Sequence, residues 1–180
     1  MKQLIILTIF LTSILMLNGK EKIILGLDPG IADTGYGVIS EVNGVLTVLT
    51  YGSIKTPKSE ELSRRLSSLH QQLLKLIEKY QPQTAVVEQL FFCTNIKTAM
   101  TVGQARGVIL LSLTNKGITI IEPTPLQVKQ GITGYGKADK RQVQQMLKNI
   151  LKLKNIPQPD DAADALAMAV YGSGNIANLI

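Results

Sequence analysis

Residues 22–39 read KIILGLDPGIADTGYGVI, and the fold follows from how that stretch is parsed. Ile23, Ile24, Leu25 and Leu27 form an apolar run without polar alternation, the pattern of a strand buried on both faces. The run delivers one carboxylate, Asp28, to the end of a central strand. Pro29-Gly30 stops the strand, and Gly35 and Gly37 allow tight turning and close backbone approach on the way into a second strand. Taken alone, Asp28 reads more readily as a turn aspartate capping backbone amides than as a chemical group.

Downstream, Tyr36 to Val42 and Val45 to Ile54 flank Asn43-Gly44, a tight-hairpin signal that makes three consecutive antiparallel strands. Leu62, Leu66, Leu69, Leu73, Leu76, Ile77 and Tyr80 recur at helical steps, which predicts an amphipathic helix over residues 60–80. His70 lies beside that stripe and reads as a packing histidine, because the chain has no second histidine to join it in a metal site. Thr84 to Val87 is a short β run ending at Glu88, a second strand-end carboxylate. Residues 95–115 read as a helix in which Ala99, Gly103 and Gly107 are spaced by four. That bare stripe suits tight helix-on-sheet packing more often than a helix pair across a dimer.

Ile118 to Ile121 is a fifth strand. A short helical segment around Leu126 to Gly131, the loop GITGYGKAD, a helix over 139–152 and a last helix from Asp160 to Tyr171 complete the chain. This order is α/β, one mixed sheet with helices on both sides.

At 180 residues and 45% hydrophobic, with no linker-like tract, the chain is expected to form a single domain over residues 22–172, followed by a short tail over 173–180. The first 21 residues form an apolar leader. One lysine precedes about fourteen mostly apolar residues, too few for a membrane span, and no small-x-small cleavage site follows. A secretory or anchoring segment, a packed N-terminal element and a translation start assigned too early all fit it. The third is favoured, with Met16 as the start. The lone Cys93 excludes an intrachain disulfide and suits a reducing compartment. Any metal must therefore be held by oxygen.

The last helix opens PQPDDAADALAMAV, so Asp161 and Asp164 project from one face. Aspartates are favoured at a helix N-terminus, but Asp160 alone could satisfy that role. If Asp28, Glu88, Asp161 and Asp164 converge, they repel and some must hold protons. Divalent cations remove that penalty. Hard oxygen donors suit Mg²⁺ or Mn²⁺, and two such ions balance four carboxylates and can activate a water and stabilise the leaving oxygen of a phosphodiester. The cations lie beside this group in sequence. Lys129, Lys137, Lys140, Arg141, Lys148, Lys152 and Lys154 oppose only Asp139 between residues 125 and 154, a surplus equal to the formal charge of +6 on the whole chain. Some of these form an ordinary solvated helix face, but next to an acid-plus-metal site they fit phosphate-backbone contacts.

The segments LGLDPGIADTGYGVI, AVVEQLFF, GQARGV, LQVKQGITGYGKADKRQVQQML and PDDAADALAMA, in that order and spacing, resemble the RuvC family of Holliday junction resolvases. The resemblance runs from about Lys22 to Tyr171. It implies an RNase H-like five-stranded mixed sheet flanked by helices on both faces. It makes Asp28, Glu88, Asp161 and Asp164 the metal-binding catalytic acids, served by Mg²⁺ with Mn²⁺ as a substitute, two ions per subunit. Phe91 matches a loop aromatic that contacts bases at the junction. Lys129 and Lys140 match lysines near the DNA, with Lys137 and Arg141 as neighbouring contacts. The helix carrying Gly103 and Gly107 corresponds to a dimer region.

The implied activity is symmetric nicking of opposing strands of a four-way DNA junction by a cytoplasmic homodimer, without a membrane and alongside a RuvA–RuvB branch-migration motor. The chain departs from the family at Ile31-Ala32-Asp33, where many relatives carry Ser-Arg. A catalytically inactive junction binder is the alternative, against which all four acids are present. An actin- or Hsp70-like sugar-kinase fold also begins strand-Asp-x-Gly, but it needs a second lobe for which there is no room.

Overall fold

The structure, a computed structural model, describes residues 20–89 and 96–174. One five-stranded sheet runs in the order β3-β2-β1-β4-β5. Its strands are β1 (Lys22–Asp28), β2 (Asp33–Val42), β3 (Val45–Lys55), β4 (Thr84–Val87) and β5 (Thr119–Ile121). The first three pair antiparallel, and β1·β4 and β4·β5 pair parallel. Among the described residues five helices accompany them: α1 (Leu62–Tyr80), α2 (Ile96–Asn115), α3 (Pro125–Thr133), α4 (Lys140–Ile150) and α5 (Asp160–Gly172). Residues 1–19 of the expected leader, Phe91, Cys93 and the last six residues of the tail lie outside the described residues.

The apolar run of β1 is buried because side chains leave it alternately toward two cores. Leu25 and Leu27 join Leu69 and Leu73 of α1 and Ile109 and Leu113 of α2, while Ile24 joins Ile132 of α3, Leu147 of α4 and Leu166 of α5. Each fully buried aliphatic side chain contributes about 1.5–3 kcal/mol. The β2–β3 turn is closed by Asn43 and Gly44, both at positive φ (52° and 80°), as a type I′ turn requires. Two capping boxes start the basic helices: Thr124 with Gln127 on α3, and Asp139 with Gln142 on α4. His70 packs as expected, its Nδ1 2.7 Å from Ser112 Oγ across the α1–α2 contact.

Two glycine readings are corrected by the structure. Gly35 and Gly37 do not turn the chain, because β2 already begins at Asp33 and carries both within the strand. They form, with Gly26, a bed for α5. A Cβ on Gly26 would run into the carbonyl of Ala165, one on Gly35 into the carbonyl of Asp161, and one on Gly37 into Leu166. Gly26 and Gly37 are cross-strand partners, so the bare patch is continuous and the helix backbone lies directly on the sheet. The Ala-rich sequence of α5 suits that approach, and Lys22 Nζ donates to the Gly172 carbonyl at 3.1 Å where the helix ends. Gly107, in contrast, does not pack on the sheet. It faces outward with nothing near its Cα hydrogen, and α2 turns Ala105, Ile109 and Leu113 toward the core instead.

Candidate active site

Register builds the site. Leu27 pairs with Val87 between the parallel strands β1 and β4, so the next residues, Asp28 and Glu88, lie beside one another at adjacent strand ends. On the other side, Asp28 pairs with Gly35, the glycine on which the backbone of Asp161 rests. Asp164 follows one turn along α5. Three elements that end or begin at the same edge of the sheet thus bring four carboxylates into one neighbourhood.

Burial and like charge act on Asp28, Glu88 and Asp161. The Asp28 carboxyl is pushed up from 3.8 to about 7 by burial first, then by Glu88, Asp164 and Asp161, with Lys140 pulling the other way. Glu88 is raised by burial and then by Asp164, against Lys129. Asp161 is raised by burial, then by Asp33 and Asp164. Asp164 therefore acts on all three of the others. Even so, among the described residues no three acids stand close enough together to hold a metal ion as they are. Lys140 takes Asp164. The Lys140 ammonium lies 3.0 Å from Asp164 Oδ2 and 3.3 Å from Asp160 Oδ2. Burial is the largest single influence and works against that charge, but the hydrogen bonds and charges of Asp164 and Asp160 together outweigh it and raise the lysine.

Asp160 is thereby accounted for differently than expected. It makes no capping bond at the start of α5, where Pro159 is the N-cap; it pairs with Lys140 and accepts from Gln144 Nε2 at 3.3 Å. A cleft of ≈ 220 Å³ opens between Glu88, Lys129, Lys140 and Asp164, with Val128 and Met168 in its apolar wall. Lys137 and Arg141 are exposed and do not line it.

The donor set suits hard divalent cations. It consists of carboxylate oxygens, one of them on a carboxyl kept partly protonated by burial and like charge, which a cation would relieve. Asp33 adds an Oδ1 that is buried without a hydrogen-bond partner among the described residues. Two contributors escaped the sequence reading. Lys140, read from the sequence as a DNA contact, also pairs with two of the acids, Asp160 and Asp164. Arg106 carried no reading beyond its place in GQARGV, although an arginine in a helix of small and apolar residues is itself a signal that some acceptor awaits it.

A family model described as "Crossover junction endodeoxyribonuclease RuvC" matches residues 24–171. The crossover junction endodeoxyribonuclease RuvC of Alkaliphilus oremlandii is 52% identical over 148 residues, covering 82% of this chain and 90% of that protein. Its counterpart from Caldicellulosiruptor saccharolyticus is 53% identical over 148 residues, covering 82% and 89%. Among solved structures, RuvC of T. thermophilus in complex with Holliday junction substrate superposes with a TM-score of 0.80 at 33% identity, over 84% of this chain and 93% of that one.

Proposed function

The chain belongs to the RuvC family of crossover junction endodeoxyribonucleases, and from that premise we propose that it hydrolyses phosphodiesters at four-way DNA junctions, nicking opposing strands during recombination and repair. The observation that carries the chemistry is the carboxylate cluster, in which Asp28 is driven to about 7 by burial and three neighbouring acids. A group of that kind is costly to a fold, and a nuclease has a use for it.

Asp28, Glu88, Asp161 and Asp164 are the residues that would hold the metal. Divalent cations of the Mg²⁺ class, two per subunit with Mn²⁺ as a substitute, would offset their charge, activate water and stabilise the departing oxygen when bound. The end of β1 keeps Asp28 still, and α5 carries its two aspartates as one rigid unit. Lys129 and Lys140, on the cleft wall, are suited to phosphate oxygens on either side of the scissile bond. Lys137 and Arg141 extend that contact along the strand, and Phe91 is assigned to the bases only by its match to the family's loop aromatic. Two copies about a two-fold axis, meeting through the outward face of α2, would give paired incisions on a junction of the same symmetry. Work alongside a RuvA–RuvB motor in the cytoplasm follows from family membership. Among the described residues no helix is long and apolar enough to cross a membrane.

Cleavage of a synthetic four-way junction tests the reading. Wild type should nick opposing strands with Mg²⁺ and leave them intact in chelator, while Asp28→Asn should bind the junction in Ca²⁺ and cut neither strand. A wild-type protein that binds the junction and leaves it whole with both Mg²⁺ and Mn²⁺ refutes the proposal.

A further inference from the structure

Glu88 stands one residue beyond β4, where the sheet no longer holds it. The β4–β5 ladder ends at Val86 and Ile121, and the β1–β4 ladder ends at Leu27 and Val87. Its position is set instead by groups from two other elements. Arg106 of α2 donates from Nε to the Glu88 carbonyl at 3.1 Å, and its Nη2 pairs with the Glu122 carboxylate on the segment after β5. Gln89 N–H, next along the chain, donates to the Pro123 carbonyl at 3.0 Å. Glu122 and Pro123 are adjacent, so one short segment takes both the backbone of Gln89 and the arginine that holds Glu88.

We infer that Arg106 and Glu122 form a positioning pair that sets the height and angle at which Glu88 meets Asp28 and Asp164. The inference rests on the site reading above. Three features support it. The Arg106 side chain is only 20% exposed and leaves α2 between the buried Ala105 and Ile109, so its origin is rigid. A planar guanidinium presents adjacent N–H groups in a fixed fork and can hold a carbonyl and a carboxylate at once, which a single ammonium on a flexible stem does less well. The cation acting on the Glu88 carboxyl itself is Lys129; Arg106 grips the backbone, so its contribution is geometric. Groups that orient metal ligands in this way have measurable consequences even though they touch neither metal nor substrate.

The test uses the full chain carrying Arg106→Lys, Glu122→Gln, or both. Single-turnover cutting of a four-way junction is followed across Mg²⁺ concentrations, with junction binding in Ca²⁺ and thermal melting alongside. Arg106→Lys should slow cutting by about 10- to 100-fold and raise the Mg²⁺ needed for half-maximal rate, with junction affinity unchanged. Glu122→Gln keeps an acceptor and should lose less, and the double variant should be no slower than Arg106→Lys, because both changes break one unit.

Wild-type rate and metal dependence in folded Arg106→Lys overturns the inference. So does loss of cutting only in step with melting temperature and junction binding. If Arg106→Lys does not fold, a folded Glu122→Gln with unchanged metal dependence overturns it as well. Failure of wild type to cut at all would refute the site reading instead, so the two failures are told apart.

Discussion

Replacing Asp28 with asparagine should make the metal-free protein more stable while abolishing its activity. The folded-state carboxyl is raised from 3.8 to about 7, chiefly by burial and then by Glu88, Asp164 and Asp161. Below pH 4 the side chain is protonated in both folded and unfolded chains, and Asp28 then resembles an asparagine. Between pH 4 and 7 the unfolded chain ionises while the folded one keeps its proton, so stability falls by as much as about 1.4 kcal/mol per pH unit. Above pH 7 the loss is complete, with a ceiling of about 4 kcal/mol. Relaxation of the acids and the opposing Lys140 reduce it, and about 2 kcal/mol is expected, or roughly 4–8 °C in Tm.

The assay is urea unfolding of wild type and Asp28→Asn in chelator at pH 4, 6 and 8. The two should coincide at pH 4 and diverge in favour of the variant by pH 8. Adding Mg²⁺ should then stabilise wild type and leave the variant unmoved, since only a protein that binds a ligand in its folded state gains from it. Equal stabilities at pH 8 in chelator, or a variant less stable than wild type there, would refute the account of Asp28 as a carboxylate held against its own charge.

Gly26→Ala should be a severe substitution for a single methyl group, because the atoms it meets are backbone atoms of Ala165 and Ala169 that cannot rotate aside. α5 must lift, at about 1–3 kcal/mol or more. Junction cutting, measured where the variant remains folded, should fall further than stability does, because Asp161 and Asp164 ride on that helix. Lys129→Ala and Lys140→Ala should each flatten the dependence of junction affinity on salt, by about 0.9 in the log–log slope for one lost phosphate contact. Lys116→Ala, which breaks a pair with Glu78 away from the cleft, should leave that slope unchanged.

Much of the fold and the placing of the acids at strand ends and on one helix face could be read locally. The unalternating run into Asp28, the Asn43-Gly44 turn and the helical stripe of α1 are properties of neighbouring residues, and the structure reproduces each with ends moved by a few positions. The Asp161 and Asp164 pair was legible for the same reason, since a spacing of three puts both on one helix face whatever the helix packs against. Gly35 and Gly37 were read for both tight turning and close backbone approach, and only the second holds, because a glycine announces conformational freedom and absence of a side chain with the same letter. Only a packing partner distinguishes the two. Asp160 was misread because its partner comes from another helix.

The sequence by itself determined which strands and helices form and which carboxylates sit at their ends, because periodicity, capping and strand-stopping residues act over a few residues of chain. Tertiary structure alone decided that α5 lies on a bed of three glycines, that Lys140 bridges Asp160 and Asp164, and that Arg106 holds the backbone of Glu88. These contacts join parts of the chain with no local relation, and they exist only once the register of β1 with β2 and β4 has set where each strand ends. Asp28 stands among acids for that reason: register places it beside three others, and burial raises what its charge costs.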